Sequence, residues 1–155
     1  KSKNIKLPLL ESVVKINEEQ PSKMLKLLLD KMPSLQDKKI GILGLAFKPG
    51  TDDLRESPSL KVIDLLLKEK SKIIAHDPVA KETAEKQIDN DNVYFYNDFE
   101  QVVNDSDALL VMTAWDDYKK LHQVINKLNK NIFVIDGRRI LDKNDFKSYS
   151  GIGLS

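Results

Sequence analysis

The chain has no cysteine among its 155 residues. This absence excludes disulfides, thiolate metal sites and a cysteine nucleophile within these residues. Histidine is scarce as well, because only His76 and His122 are present and they fall in different predicted elements. No spacing such as His-Glu-x-x-His indicates a metal site. We therefore expect neither a metal site nor a cysteine nucleophile in this chain.

Long apolar runs and an excess charge of one sign are also missing. No apolar run approaches the roughly 20 residues that span a bilayer. The basic start, Lys1 to Asn4, is not followed by the apolar segment of a secretion signal, so a cytoplasmic location is the default expectation. Lys and Arg number 25 against 24 Asp and Glu, which leaves a net charge of +1. We therefore expect no nucleic-acid or membrane partner.

Apolar stretches alternate with helical patterns from residue 40 onward. The sequence predicts strands at 40–46, 72–76, 93–96, 108–113 and 132–136, with a short last strand at 151–154. Between them it predicts helices at 58–70, 80–87 and 116–128, capped in the first and last cases by Ser57 and Asp116, and a short helix capped by Asn97 with Glu100. This alternation implies right-handed βαβ units. The predicted fold class is therefore α/β, a Rossmann-like three-layer domain with a mainly parallel sheet.

A helical segment precedes this repeat. One apolar face runs from Leu9 to Asn17, and Pro21 is predicted either to kink the helix or to start a second one. The helical spacing resumes at Met24 and ends at Pro33. The sequence thus divides into a helical segment, 1–35, and a Rossmann-like domain, 36–155. The first is expected to pack on the domain or on another chain.

The longest motif is the run 44–58, Gly-Leu-Ala-Phe-Lys-Pro-Gly-Thr-Asp-Asp-Leu-Arg-Glu-Ser-Pro. It lies between a predicted buried strand and the N-terminus of a predicted helix, which is where open α/β sheets bind ligands. Lys48 and Arg55 place two cations there, which suits a phosphate of a nucleotide. The competing interpretation is that Lys48 is an ordinary exposed lysine that binds no ligand. Arg55 could pair with Asp52 or Asp53, with a diphosphate, or with both a carboxylate and a ligand.

Two further loops follow strands at the same edge. Arg138, after the fifth strand, could add a bidentate donor for phosphate or ribose, or form a surface ion pair. Asp77, after the second strand, could hold a ribose, but a role in the turn is favoured because Gly-x-Gly-x-x-Gly is absent. Phe47 stands where the third glycine of that pattern would be. The usual pyrophosphate cradle is therefore not expected in this domain.

These residues resemble the UDP-glucose/GDP-mannose dehydrogenase family, in its C-terminal UDP-binding domain. The resemblance rests on the run 44–58, followed in order by His-Asp-Pro, Thr-Ala-Trp-Asp and Asp-Gly-Arg-Arg. It covers nearly the whole chain and is nearest to the branch that oxidises UDP-glucose. The segment from Leu7 to Pro21 resembles the end of the family's central helix.

The resemblance implies a dehydrogenase that oxidises the C6 alcohol of a nucleotide sugar to a carboxylate with two NAD+. It implies that Phe47, Lys48 and Arg138 contact the UDP-sugar and that Arg55 reaches the NAD pyrophosphate. It also implies three parts that lie outside this chain: a catalytic cysteine, an N-terminal domain that carries NAD, and a second subunit of a homodimer.

The chain departs from the family's full pattern because it lacks both the cysteine and the glycine motif. We therefore expect a fragment that is inactive alone. Two other functions stay open: a non-catalytic nucleotide-binding or regulatory module, and a structural role of the 9–17 helix in dimerisation. The sugar is also open between UDP-glucose, UDP-N-acetylmannosamine and GDP-mannose, because the first motif is largely shared.

Overall fold

The structure is a computed structural model that describes the backbone of residues 8–153 and the side chains of residues 16–153. A six-stranded sheet has the order β3-β2-β1-β4-β5-β6, and all five strand pairings are parallel. The strands are β1 (Lys39–Leu43), β2 (Lys72–His76), β3 (Val93–Phe95), β4 (Ala108–Val111), β5 (Phe133–Asp136) and β6 (Tyr149–Gly151).

Five α-helices accompany the sheet: α1 (Pro8–Lys31), α2 (Pro58–Lys68), α3 (Lys81–Gln87), α4 (Phe99–Asp105) and α5 (Leu121–Lys127). Two short 3-10 helices occupy Asp116–Lys120 and Lys143–Asp145. The predicted α/β class with a mainly parallel sheet is confirmed.

Side chains alternate between the two faces of the sheet, as the period of a strand requires. Ile40 and Ile42 pack in one core with α1, α2 and α3, whereas Leu43 packs in a second core with α4 and α5. Helices thus cover both faces, which explains why the central strands β1 and β4 are uniformly apolar. The predicted three-layer arrangement follows from these two cores.

At Pro21 the structure decides between the two predicted alternatives. A single helix runs through this residue, so Pro21 does not start a second helix. Proline removes one backbone donor from a helix interior, but the turns after Pro21 bury Met24 and Leu28 in the main core. This burial offsets the lost hydrogen bond. The predicted apolar face from Leu9 to Val14 lies outside the described side chains.

Several predicted boundaries were wrong by a few residues. β1 ends at Leu43 instead of residue 46, and β4 ends at Val111 instead of residue 113. β6 occupies 149–151, not 151–154, and residue 154 lies outside the described chain. Each of these ends is set by pairing with a neighbouring strand, which local sequence does not encode.

Two predicted helix caps were also wrong. Asp98, not Asn97, caps α4 and accepts a hydrogen bond from the Glu100 N–H at 2.8 Å. Asp116 caps no α-helix, because its carboxylate pairs with Lys119 at 2.7 Å inside a 3-10 helix. The predicted cap of α2 is confirmed, since the Ser57 hydroxyl accepts a hydrogen bond from the Ser59 N–H and Pro58 is the first helical residue.

Candidate functional site

A cavity of about 520 Å³ opens at the carboxyl edge of the sheet. Its walls come from α1, from the loop after β1, from the start of α2, and from the residues that follow β4, β5 and β6. Parallel α/β sheets bind ligands at this edge. The lining includes cationic, acidic, amide and apolar groups: Arg138, Lys61, Glu18, Glu56, Asn17, Phe47 and Met112.

The loop after β1 leaves the sheet at Gly44, whose φ is +97°. A Cβ atom at Gly44 would lie 2.6 Å from the backbone nitrogen of Thr113, so only glycine permits this approach to the end of β4. The Thr113 hydroxyl then donates to the Ala46 carbonyl at 2.7 Å. These contacts join the loops after β1 and β4 into one wall of the site.

Asp77 supports the same wall from the end of β2. Its buried carboxylate accepts hydrogen bonds from four backbone N–H groups and one indole N–H, belonging to Leu45, Ala46, Val79, Ala80 and Trp115. Both oxygens are occupied in this way, which leaves no free acceptor for a ribose. The favoured interpretation of Asp77 as a turn residue therefore agrees with its contacts.

Phe47 and Lys48 project from this wall on the loop after β1. The Phe47 side chain is about half exposed and lines the cavity, and its backbone N–H donates to the Asp53 carbonyl at 3.0 Å. Lys48 is exposed and lies outside the lining of the cavity, although its charge helps to lower the pKa of Asp53. The loop thus offers an aromatic surface toward the cavity and a cation beside it.

Arg55 lies farther along the same loop and forms an ion pair with Asp53. Its Nε donates to Asp53 Oδ1 at 3.0 Å and its Nη2 donates to Oδ2 at 2.8 Å. This hydrogen bonding lowers the pKa of the Asp53 carboxyl to about 2, so the pair stays ionised at neutral pH. Asp52 is not the partner, because it accepts a hydrogen bond from the Thr83 hydroxyl at 3.1 Å.

Arg138 lies at the junction of the loops after β1, β4 and β5. Its Nε donates to the Met112 carbonyl, and its Nη2 makes a long contact of 3.5 Å with the Phe47 carbonyl. Burial of the guanidinium lowers its pKa, but an arginine stays charged at neutral pH. Nη1 has no protein partner within the described part of the chain. The structure thus brings Arg138 and Phe47 together at the cavity.

Asp136 orients the loop that carries Arg138. Its carboxylate accepts hydrogen bonds from the N–H groups of Arg138, Arg139 and Leu141 and from the Tyr149 hydroxyl, at 2.7–3.2 Å. Burial, together with the Asp136 charge, raises the pKa of Tyr149 to about 12. The sequence predicted Arg138 but not this support, whose members are up to 13 residues apart.

The wall formed by α1 was missed by the sequence reasoning. Pro21 and Met24 are buried against the cavity, and Asn17 and Gln20 add amide groups one turn away. A signal was available, because these polar residues interrupt an otherwise apolar helical face. Lys61 on α2 and Glu56, which has a φ of +57°, were missed as well. No local pattern distinguished them from other surface charges.

The described residues contain no group of three or more His, Asp or Glu side chains that could hold a metal ion. Within the same part of the chain, no helix has both the length and the apolarity needed to cross a bilayer.

Comparison with known proteins identifies the family. Residues 41–143 match the model of the UDP-glucose/GDP-mannose dehydrogenase family, UDP binding domain. UDP-glucose 6-dehydrogenase of Rickettsia bellii is 35% identical over 154 residues, which covers 96% of this chain and 35% of the relative. UDP-glucose 6-dehydrogenase TuaD of Bacillus subtilis is 34% identical over 158 residues, which covers 99% of this chain and 34% of the relative.

Solved structures give the same result. A UDP-glucose dehydrogenase from Pyrobaculum islandicum superposes with a TM-score of 0.82 and 32% identity, over 94% of this chain and 32% of that protein. A UDP-D-ManNAc dehydrogenase from Pyrococcus horikoshii superposes with a TM-score of 0.75 and 27% identity, over 98% of this chain and 35% of that protein. The chain spans about a third of the length of the relatives it matches. On these grounds, together with the site at the carboxyl edge, the chain belongs to the UDP-glucose/GDP-mannose dehydrogenase family and corresponds to its UDP binding domain.

Proposed function

We propose that the chain is the nucleotide-sugar-binding domain of an NAD-dependent UDP-glucose 6-dehydrogenase, which oxidises UDP-glucose to UDP-glucuronate with two NAD+. Family membership and the names of the relatives support this proposal. The observation that carries it is the position of Arg138, which joins the ends of three strands at one cavity. A fixed guanidinium with free N–H groups is the group that best matches a diphosphate.

On the substrate side, Phe47 and Arg138 line the cavity and Lys48 lies beside it. In our proposal the Phe47 ring packs against the base or the sugar, because it is an exposed apolar surface in a polar setting. Arg138 donates to the diphosphate through N–H groups that its protein contacts leave free. Lys48 supplies a second, mobile positive charge at the mouth of the cavity.

On the cofactor side, the geometry suits a single phosphate contact. Arg55 is 89% exposed and keeps three N–H groups beyond the two that Asp53 accepts. The space at Gly44 is filled by Thr113, so this glycine does not leave room for a dinucleotide. We therefore propose that Arg55 holds the NAD pyrophosphate and that a separate N-terminal domain binds the remainder of NAD. When bound, NAD accepts the hydride from C6.

Two structural proposals accompany this function. We propose that residues 1–35 are the end of a longer central helix through which two subunits form a homodimer, and that residues 36–155 are the binding domain. The length of α1 supports the first proposal. A catalytic cysteine would come from a part of the enzyme other than this chain, so the chain alone is expected to be inactive.

Binding can be tested directly on the 155-residue chain. Titration with UDP and with UDP-glucose should shift the amide NMR signals of residues 47–56 and 136–139, and Arg138→Gln should raise the dissociation constant about tenfold, as expected for the loss of one charge-assisted contact. Lys38→Gln is the matched control, because Lys38 is exposed before β1, at the opposite edge of the sheet. Unmoved signals at millimolar ligand would contradict the site.

Substrate choice has a specific alternative. One structural relative is a UDP-D-ManNAc dehydrogenase and another, from Methanosarcina mazei, is an NDP-N-acetyl-D-galactosaminuronic acid dehydrogenase, at 27% identity in both cases. The discriminating experiment expresses the chain together with the residues encoded upstream of Lys1 and compares kcat/KM for UDP-glucose, UDP-N-acetylmannosamine and GDP-mannose. We expect UDP-glucose to be preferred. Absence of NAD reduction with every sugar would favour a non-catalytic nucleotide-binding module.

A further inference from the structure

Asp53 uses all of its polar groups inside the loop after β1. Its carbonyl accepts from the Phe47 N–H at 3.0 Å, and its own N–H donates to the Thr51 hydroxyl at 3.1 Å. Its carboxylate accepts from the backbone N–H of Arg55 at 2.9 Å and from the Arg55 guanidinium at two points. One residue therefore connects Phe47, which lines the cavity, with Arg55, the cation just before α2.

The ion pair with Arg55 differs from the other surface pairs among the described residues. Lys119 and Lys127 each contact a carboxylate through a single ammonium group, whereas Arg55 presents two parallel N–H donors to Asp53. A bidentate pair fixes the plane of the guanidinium as well as its distance. Arg55 is thus held in one orientation although its side chain is 89% exposed.

Fixing an exposed arginine has a consequence for binding an anion. An arginine side chain that no other group holds loses rotamer entropy when it binds a ligand, and this loss weakens the complex. Asp53 has already restricted Arg55 in the unbound loop, so less entropy is lost on binding. The opposing effect is electrostatic, because a carboxylate next to the guanidinium reduces its attraction for a phosphate. Neutralising the Asp53 carboxylate should therefore weaken anion binding if the entropy effect dominates. It should strengthen anion binding if the electrostatic effect dominates.

We infer that Asp53 is a positioning residue: it orients the free N–H groups of Arg55 toward the cofactor phosphate while its carbonyl sets the backbone of Phe47 on the substrate side. This inference rests on the proposed function, since it concerns the cofactor contact proposed for Arg55. It adds a residue that touches neither ligand and acts on both sides of the loop.

The test neutralises two adjacent carboxylates separately in the protein expressed with its upstream residues. Asp53→Asn keeps an oxygen for the backbone turn but loses one guanidinium acceptor, whereas Asp52→Asn removes the same charge from a residue that contacts Thr83. Isothermal titration should give a dissociation constant for NAD about tenfold higher for Asp53→Asn, close to that of Arg55→Ala. Asp52→Asn should differ from the unchanged protein by less than about twofold.

Two further measurements separate positioning from general damage. The double variant with Asp53→Asn and Arg55→Ala should bind NAD no more weakly than Arg55→Ala alone, because the two residues act as one unit. The dissociation constant for UDP-glucose should rise less than that for NAD. In NMR spectra, the Arg55 Nε–H signal should lose its protection from solvent exchange in Asp53→Asn, while the other amide signals stay near their original positions.

Three outcomes would overturn the inference, and only the last of them would also overturn the proposed function. Equal or tighter NAD binding by Asp53→Asn would overturn the positioning role, because electrostatics alone would then dominate. Normal NAD binding by Arg55→Ala would show that Asp53 and Arg55 form only a surface ion pair, which would overturn the inference. The proposed binding of the UDP-sugar would not be affected by this result. Failure of the unchanged protein to bind NAD at all would overturn the proposed function and the inference together.

Discussion

At the scale of the residue, three carboxylates hold the loops of the site in place, although the sequence motifs pointed to the cations Lys48, Arg55 and Arg138. Asp77, Asp136 and Asp53 each accept three or more hydrogen bonds from the loops at the carboxyl edge. Buried or half-buried carboxylates serve this purpose because each has about four acceptor positions and no donor. Arg138 and Arg55 therefore occupy defined positions before any ligand arrives.

A second residue-scale feature is a buried histidine. His76 Nδ1 lies 2.9 Å from the hydroxyl of Tyr118, whose O–H donates to the His76 carbonyl at 3.0 Å. Burial lowers the pKa of His76, and the charges of Asp77, Asp98 and Asp117 oppose that shift only in part. The neutral ring is therefore the form that the fold favours.

The lowered pKa of His76 predicts a loss of stability in mild acid. The unfolded chain binds a proton at His76 near pH 6.5, whereas the folded chain binds it only at lower pH. The free energy of unfolding should therefore fall as the pH drops from about 6.5 through the pKa of the folded state, and His76→Gln should flatten that dependence. Urea denaturation at pH 8 and pH 5 measures it. His122→Gln is the control, and an equal slope in both variants would contradict the prediction.

At the scale of the element, helix ends are stabilised by residues that are distant in sequence. The last turn of α4 leaves carbonyl groups without helical partners. The Lys130 ammonium supplies the missing donors, because it donates to the carbonyls of Val103, Asn104 and Ser106. Burial lowers the pKa of this lysine. Lys130 thus connects the end of α4 to the turn after α5.

Removal of this contact should destabilise the fold measurably. Lys130→Met keeps the aliphatic stem but leaves the carbonyls unpaired, so the free energy of unfolding should fall by about 1 kcal/mol. Lys127→Met is the matched control, because Lys127 pairs with Glu100 in solvent and surface pairs contribute little. Denaturation curves of both variants supply the comparison. Equal losses would show that the three carbonyl contacts add nothing.

At the scale of the whole molecule, α1 and the sheet form one packed unit. Leu28 is fully buried in the same core as Ile40 and Ile42, and Met24 lies against the cavity. The helix, which was predicted to pack on the domain or on another chain, therefore contributes both to the main core and to a wall of the site. This packing makes the geometry of the cavity dependent on the stability of α1.

A core substitution in α1 tests this dependence. Leu28→Ala should lower the free energy of unfolding by about 2–5 kcal/mol, in a single cooperative transition, because it removes buried methyl groups from the shared core. Ile16→Ala is the control, since Ile16 is about half exposed on the same helix. Urea denaturation followed by both tryptophan fluorescence and circular dichroism supplies the measurement. A separate early transition of the helix would show that α1 folds independently.

The sequence alone determined the α/β class and the family resemblance, because strand and helix periods, the Ser57-Pro58 cap and the run 44–58 are local patterns. The comparisons confirm that family. Only the tertiary structure decided which groups meet: Arg138 with the carbonyl of Met112, 26 residues away, and Asp77 with the loop after β1, 31–32 residues away. The tertiary structure also decided that β1 ends at Leu43 and β4 at Val111. Such contacts depend on the parallel register, which brings the strand ends to one edge and which no short window of sequence contains.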